Sequence, residues 1–268
     1  MNRFRLRKNR RRRKILFVAV IVVLLAVFLV PYCVEPGIPV FMYHCVADEP
    51  RGGDENLYCR PAQLEEQFQY LVDNGYTTLF AEEYAEAYEV SKPVILTFDD
   101  GYEDNYIELF PLLKRFNLKA TIFVVASFVD TDGYLSSEQI REMVDSGLVS
   151  IQSHTAHHVD LTSQDTATVD AEYRESCAAL AKVTGKNVTA ISYPGGYFND
   201  TVLEATKRYF TYAYAIDTNQ YSKDNTYEIS RGGVFRNTTL ESYVMALKTY
   251  SQRRIVREAF KLKHRLFG

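Results

Sequence analysis

Cysteine is scarce: Cys33, Cys45, Cys59 and Cys177 are the only four in 268 residues, and none belongs to a C-x-x-C pair. That excludes a disulfide scaffold and a paired-thiolate metal or redox motif. It leaves Cys45 and Cys59 as one pair that could bridge in an oxidising compartment. From Ile38 onward there is no repeat, no low-complexity stretch and no Pro-, Gly- or Ser-rich linker, so one domain is expected. No A-x-A-like small-residue site follows the N-terminal apolar run, which argues against a cleaved signal peptide.

What the N-terminus does have is charge followed by hydrocarbon. Nine basic residues lie between Arg3 and Lys14, and the apolar run Ile15 to Val30 follows, extended by Pro31, Tyr32, Cys33 and Val34. This approaches the ~20 residues that a membrane-crossing helix needs. Basic residues before the run and none immediately after it point the N-terminus to the cytoplasm. The expected layout is a cytoplasmic tail over 1–14, an uncleaved transmembrane signal anchor over 15–34, and an extracytoplasmic domain over 35–268, single-pass on the cell membrane. The Arg run is then a topology signal rather than a nucleic-acid tail. The basic, partly amphipathic stretch within the C-terminal tail from about 251 reads as a solvated helix. Setting the nine tail cations aside from the 31 Lys+Arg leaves 22 against 34 Asp+Glu, so the outer domain is acidic. Its overall field suits neutral or cationic partners and not nucleic acid.

Within that domain, short apolar runs alternate with helical patterns. Strands are expected at Pro39 to Tyr43, Thr77 to Phe80, Pro93 to Phe98, Ala120 to Val125, Val149 to Ser153, Ala190 to Ser192 and Tyr212 to Ile216. Helices are expected at Gln63 to Asn74, Ile107 to Phe116, Ser137 to Ser146 and Asp165 to Thr184, several with a polar start and a Gly stop. The class is α/β with about seven units, either a barrel or an open doubly wound sheet.

Two segments carry chemistry. In Leu96-Thr97-Phe98-Asp99-Asp100-Gly101 an apolar strand runs into two adjacent carboxylates, at the strand end where α/β proteins assemble their sites. On extended backbone the two would point to opposite sides, one to a metal and one to substrate or water. Alone, Asp-Asp-Gly also reads as a turn. Ser153-His154-Thr155-Ala156-His157-His158 holds three of the five histidines, and a helical turn or compact loop could aim His154 and His158 at one ion while His157 points elsewhere. Two His and one Asp, with open positions, make a catalytic rather than a structural metal set.

T-F-D-D-G, then S-H-T-x-x-H, then a Y-P-G-G segment resembles the polysaccharide deacetylases of carbohydrate esterase family four, over about residues 38 to 243. The resemblance implies a distorted (β/α)7-type barrel, Asp99 as general base, and Asp100, His154 and His158 as ligands of a divalent metal. Zn is the first expectation, with Co, Ni or Mn as alternatives. The late L-x-H segment that carries the family's general acid is missing. Instead Val40-Phe41-Met42-Tyr43-His44 places a histidine after the first strand, as in a circularly permuted branch resembling the poly-N-acetylglucosamine deacetylases of biofilm systems, which makes His44 the general acid. In Ser192-Tyr193-Pro194-Gly195, Ser192 stands where the family has an arginine, so Arg231 becomes a candidate partner for Asp99. Tyr193, Pro194 and Gly195 are the oxyanion or substrate candidates, with the backbone N–H near Gly195 as donor. The expected function is removal of N-acetyl groups from an extracellular N-acetylglucosamine polysaccharide. A peptidoglycan N-deacetylase, an O-acetyl esterase of the xylan type and an inactive glycan-binding module are the alternatives. Oligomeric state is not fixed by the sequence.

Overall fold

The computed structural model describes residues 37–216, 218 and 225–249. The anchor expected at 15–34 and the basic tail lie outside them. Among the described residues no helix is long and apolar enough to cross a membrane.

The strands are β1 (Val40–Tyr43), β2 (Cys45–Val46), β3 (Tyr58–Cys59), β4 (Thr77–Leu79), β5 (Pro93–Asp100), β6 (Ala120–Val124), β7 (Val149–Ser153), β8 (Ala190–Ser192), β9 (Tyr212–Ile216) and β10 (Ile229–Gly233). The helices are α1 (Pro61–Asp73), α2 (Phe110–Phe116), α3 (Ser137–Asp145), α4 (Thr166–Thr184), α5 (Asp200–Tyr209) and α6 (240–249). Every strand pairing is parallel, in the order β1-β10-β9-β8-β7-β6-β5, and β1 pairs again with β5, so seven strands close a ring. The expected strand at Thr77 is β4, which among the described residues pairs only with the start of β5 and stands outside the ring. The ring's remaining place is taken by β10. A π-helical turn, Asn105–Leu109, starts the helix expected from Ile107.

Closure makes the period of two along each strand decisive. Phe41, Leu96, Phe98, Ile122, Ile191 and Tyr193 face the helices and join the main apolar core. Val40, Ile95, Phe123, Ala190, Tyr214 and Ile229 face inward and fill the lower barrel. Further along the same inward rows come Thr97 and Asp99, Gln152 and His154, Ser192, and Arg231, all buried. The barrel interior therefore turns from apolar to polar toward the C-terminal ends of its strands.

Helix ends follow local chemistry. Asp165 and Asn199 cap α4 and α5 by accepting from Thr168 N and Val202 N, and Ser136 with Gln139 forms a capping box on α3. The pair β2–β3 sets Cys45 opposite Tyr58 and Val46 opposite Cys59, so the two thiols fall on opposite faces. Both are free and buried, which excludes the bridge considered above, and burial pushes each thiol up to about 12.

Candidate metal centre

At the C-terminal mouth the backbone leaves regular geometry. Asp100 has φ +73 and Gly101 +80, a left-handed pair rather than a continued strand. A Cβ on Gly101 would stand 3.1 Å from the Val124 side chain, so glycine is the fitting residue there. The kink divides the two carboxylates: Asp99 stays in the inward row, and Asp100 turns toward the loop after β7.

That loop, residues 154–158, is compact and not helical. Thr155 and His158 adopt φ +67 and +57, while Ser153 Oγ accepts from Thr155 N (3.1 Å) and Thr155 Oγ1 from His158 N (3.0 Å). Glu172 of α4 anchors it from outside, accepting from Ala156 N (2.9 Å) and His157 N (2.8 Å) and pairing with His157 Nδ1 (2.8 Å). His157 is thereby turned away, and His154 and His158 bring Nε2 to 3.4 Å from Asp100 Oδ1 each. One ligand atom from each of the three lies within 4.8 Å of the others.

The set fits a divalent cation. Asp100 Oδ1 is buried with no hydrogen-bond partner. His154 Nδ1 donates to the Ser192 carbonyl (2.8 Å), which leaves the Nε2 lone pair aimed at the cluster. An unpartnered carboxylate oxygen facing two imidazole nitrogens has the chemistry of a two-His, one-Asp ligand set.

Beside it, Asp99 is clamped. Arg231, fully buried on β10, donates to Asp99 Oδ1 and Oδ2 at 2.7 Å each, with further bonds to Ser192 Oγ (2.7 Å) and Thr97 Oγ1 (3.1 Å). Ser192 Oγ in turn donates to Asp99 Oδ2 (3.2 Å). The bidentate fork is the strong form of this contact. Burial works against the charge on Asp99, but Arg231 and His154 outweigh it and hold the carboxyl well below the usual carboxylate range. Asp100 is likewise lowered: burial opposes its charge, and the His154 ring beside it, with His44 behind, outweighs burial. Burial opposes protonation of His154, yet the charges of Asp99 and Asp100 raise its pKa. Burial lowers His158, reinforced by His154. His44 follows Val40 and Met42 in the inward row of β1, between β5 and β10, where burial lowers its pKa against the pull of Asp99 and Asp100.

The remaining candidates separate. Tyr193 faces outward, with its side chain fully buried and its hydroxyl donating to the Tyr227 carbonyl (3.0 Å), so the phenol does not reach the mouth. Pro194 is buried too. Gly195, at φ +63, is exposed, and the hydrogen bonds of its turn come from Gly196 N and Tyr197 N. Sequence reasoning missed Glu172 and the supporting role of Ser192. Glu172 had a signal: it shares the buried stripe of Val169, Tyr173 and Ser176, where an unpaired carboxylate would be out of place.

A closed parallel barrel with a two-His, one-Asp cluster and a buried Asp–Arg pair at its C-terminal mouth defines the class as a barrel protein with a candidate catalytic metal centre. Residues 88–214 match the polysaccharide deacetylase family model. A polysaccharide deacetylase from Bacillus cereus superimposes with a TM-score of 0.75 at 36% identity, covering 80% of this chain and 69% of that one. Bacillus subtilis YxkH is 32% identical over 176 residues, 64% of this chain and 61% of its own length. The poly-beta-1,6-N-acetyl-D-glucosamine N-deacetylase of Escherichia coli is 34% identical over 140 residues, 44% of this chain and 20% of that protein. The chain belongs to the polysaccharide deacetylase family. It spans less than two thirds of the length of these two curated relatives.

Proposed function

We propose that this chain hydrolyses N-acetyl groups on a poly-N-acetylglucosamine-type polysaccharide outside the cell, held at the membrane by residues 15–34. The observation that carries the reading is the division of the adjacent carboxylates, Asp99 to Arg231 and Asp100 to His154 and His158. The similarity to the Escherichia coli enzyme supports the polymer, and a histidine directly after the first strand supports the permuted branch.

Asp100, His154 and His158 would hold the divalent ion, which when bound polarises an acetyl carbonyl and lowers the pKa of water toward ~7. Asp99, kept ionised and fixed by the Arg231 fork, takes the proton of the attacking water. His44 in its protonated form delivers a proton to the departing nitrogen, which leaves as a free amine only when so protonated. The backbone at Gly195, free of a side chain, can approach the oxygen on which negative charge develops. Acetate and a glucosamine residue result.

The test is acetate release by the metal-loaded chain from poly-N-acetylglucosamine, chitooligosaccharides, peptidoglycan and acetylated xylan. Release from the first alone carries the reading, preference for peptidoglycan or xylan reassigns the substrate, and no metal-dependent release from any of them sinks it. His44→Ala should retain metal and lose about 10²–10⁴-fold in kcat; unchanged turnover would remove His44 from its role.

A further inference from the structure

Two aromatic rings at the mouth are presented in the same unusual way. Tyr197 is 65% exposed and Phe235 37%, among the most exposed large apolar side chains described. Each ring lies against the backbone of the glycine two residues before it. A Cβ built on Gly195 would come within 2.8 Å of Tyr197 Cδ2 and Cε2, and one on Gly233 within 2.5 Å of Phe235 Cζ. Each glycine thus makes the space that its ring occupies, and both rings keep a substantial part of their surface open to solvent.

Their position ties them to the site. Gly233 continues the inward row of Ile229 and Arg231, and Met42 is its partner on β1, so Phe235 comes level with His44. The Phe235 loop is held firmly: Val234 N donates to Met42 O (2.8 Å), Phe235 N to Thr238 Oγ1 (2.9 Å), and Gln63 Nε2 to Phe235 O (3.0 Å). Tyr197 follows the Gly195 turn at the end of β8, whose Ser192 touches Asp99. Two separate rings with rigid backs do not form the contiguous apolar patch that a protein partner would cover. They match the apolar faces of successive pyranose rings, which stack on aromatic planes.

We propose that Tyr197 and Phe235 form a stacking platform for the sugar rings of the glycan on either side of the reacting acetamide. This rests on the glycan reading above and adds the residues that grip the chain. Gly233, whose φ is not left-handed, offers an unusual probe: Gly233→Ala would push the Phe235 ring aside without changing it.

The experiment uses the full metal-loaded chain with N-acetylglucosamine oligosaccharides of two to six units, measuring initial rates and, separately, binding by calorimetry. Phe235→Ala and Tyr197→Ala should each raise KM and Kd about three- to tenfold, increasingly with oligosaccharide length, with kcat moving far less. Gly233→Ala should reproduce Phe235→Ala, and Tyr197→Phe should behave like the parent. Unchanged KM and Kd in both alanine variants, a fall in kcat alone, or no oligosaccharide binding by the parent chain would overturn the platform. A parent that binds with this same dependence on the two rings but releases no acetate would refute the hydrolytic reading and uphold the platform.

Discussion

Asp99 and Arg231 are both buried and hold each other through two 2.7 Å contacts, so neutralising one strands the other. Asp99→Asn is expected to retain the metal, to lower acetate release by at least about 10²-fold, and to cost about 3–5 kcal/mol in urea unfolding because a guanidinium is left without its counter-charge. Asp104 presents the opposite case. It is 4% exposed, and burial, only partly offset by the Val46 N–H and the Asn105 side chain, pushes its carboxyl up to about 6. The folded state then binds this proton more tightly than the unfolded chain, whose pKa is ~3.9. The resulting stability is present below ~4 and is lost as pH rises through about 6. Asp104→Asn should therefore raise Tm relative to the parent at pH 7.5 and show little or no gain at pH 4.5; an equal shift at both would reject the account.

Glu172 acts on a whole segment. One carboxylate fixes Ala156 and His157, and with them the turn that aims His158. Glu172→Ala should weaken metal affinity about 10–100-fold in chelator competition while α4 stays folded by circular dichroism. Legibility differed element by element for related reasons. β7, β8 and β9 were readable to the residue because their runs, buried on both faces, keep an unbroken β pattern. β10 was not read as a strand, since Ile229-Ser230-Arg231-Gly232-Gly233 carries one large apolar residue, a charge and two glycines. Of its inward positions only Ile229 fills the core; Arg231 serves Asp99 and Gly233 makes room for Phe235, and this functional demand erased the strand pattern. Asp99, Asp100, His154 and His158 stood out as adjacent or clustered side chains of the right chemistry. The Ser192 bridge did not, because its contact with His154 is made by a backbone carbonyl, to which sequence is nearly blind.

At the scale of the molecule, the site draws on β1, β5, β7, β8 and β10, five of the seven ring strands, so what happens at the mouth is felt by the closed barrel. A cation that binds only the folded ring should stabilise it by about 2.7 kcal/mol at a hundredfold excess over Kd. Scanning calorimetry with and without chelator should register this as a higher Tm, and Asp100→Asn should abolish the difference. Lowering the pH should weaken binding, because the raised pKa of His154 lets a proton compete for the same nitrogen. Arg231 Nε is buried with no partner, at the centre of the barrel. Its proton is shut off from water and should exchange slowly enough to give an isolated NMR resonance. Through Ser192, which touches both the guanidinium and His154, that resonance should move when the metal arrives, so the barrel carries a reporter of its own loading that needs no label.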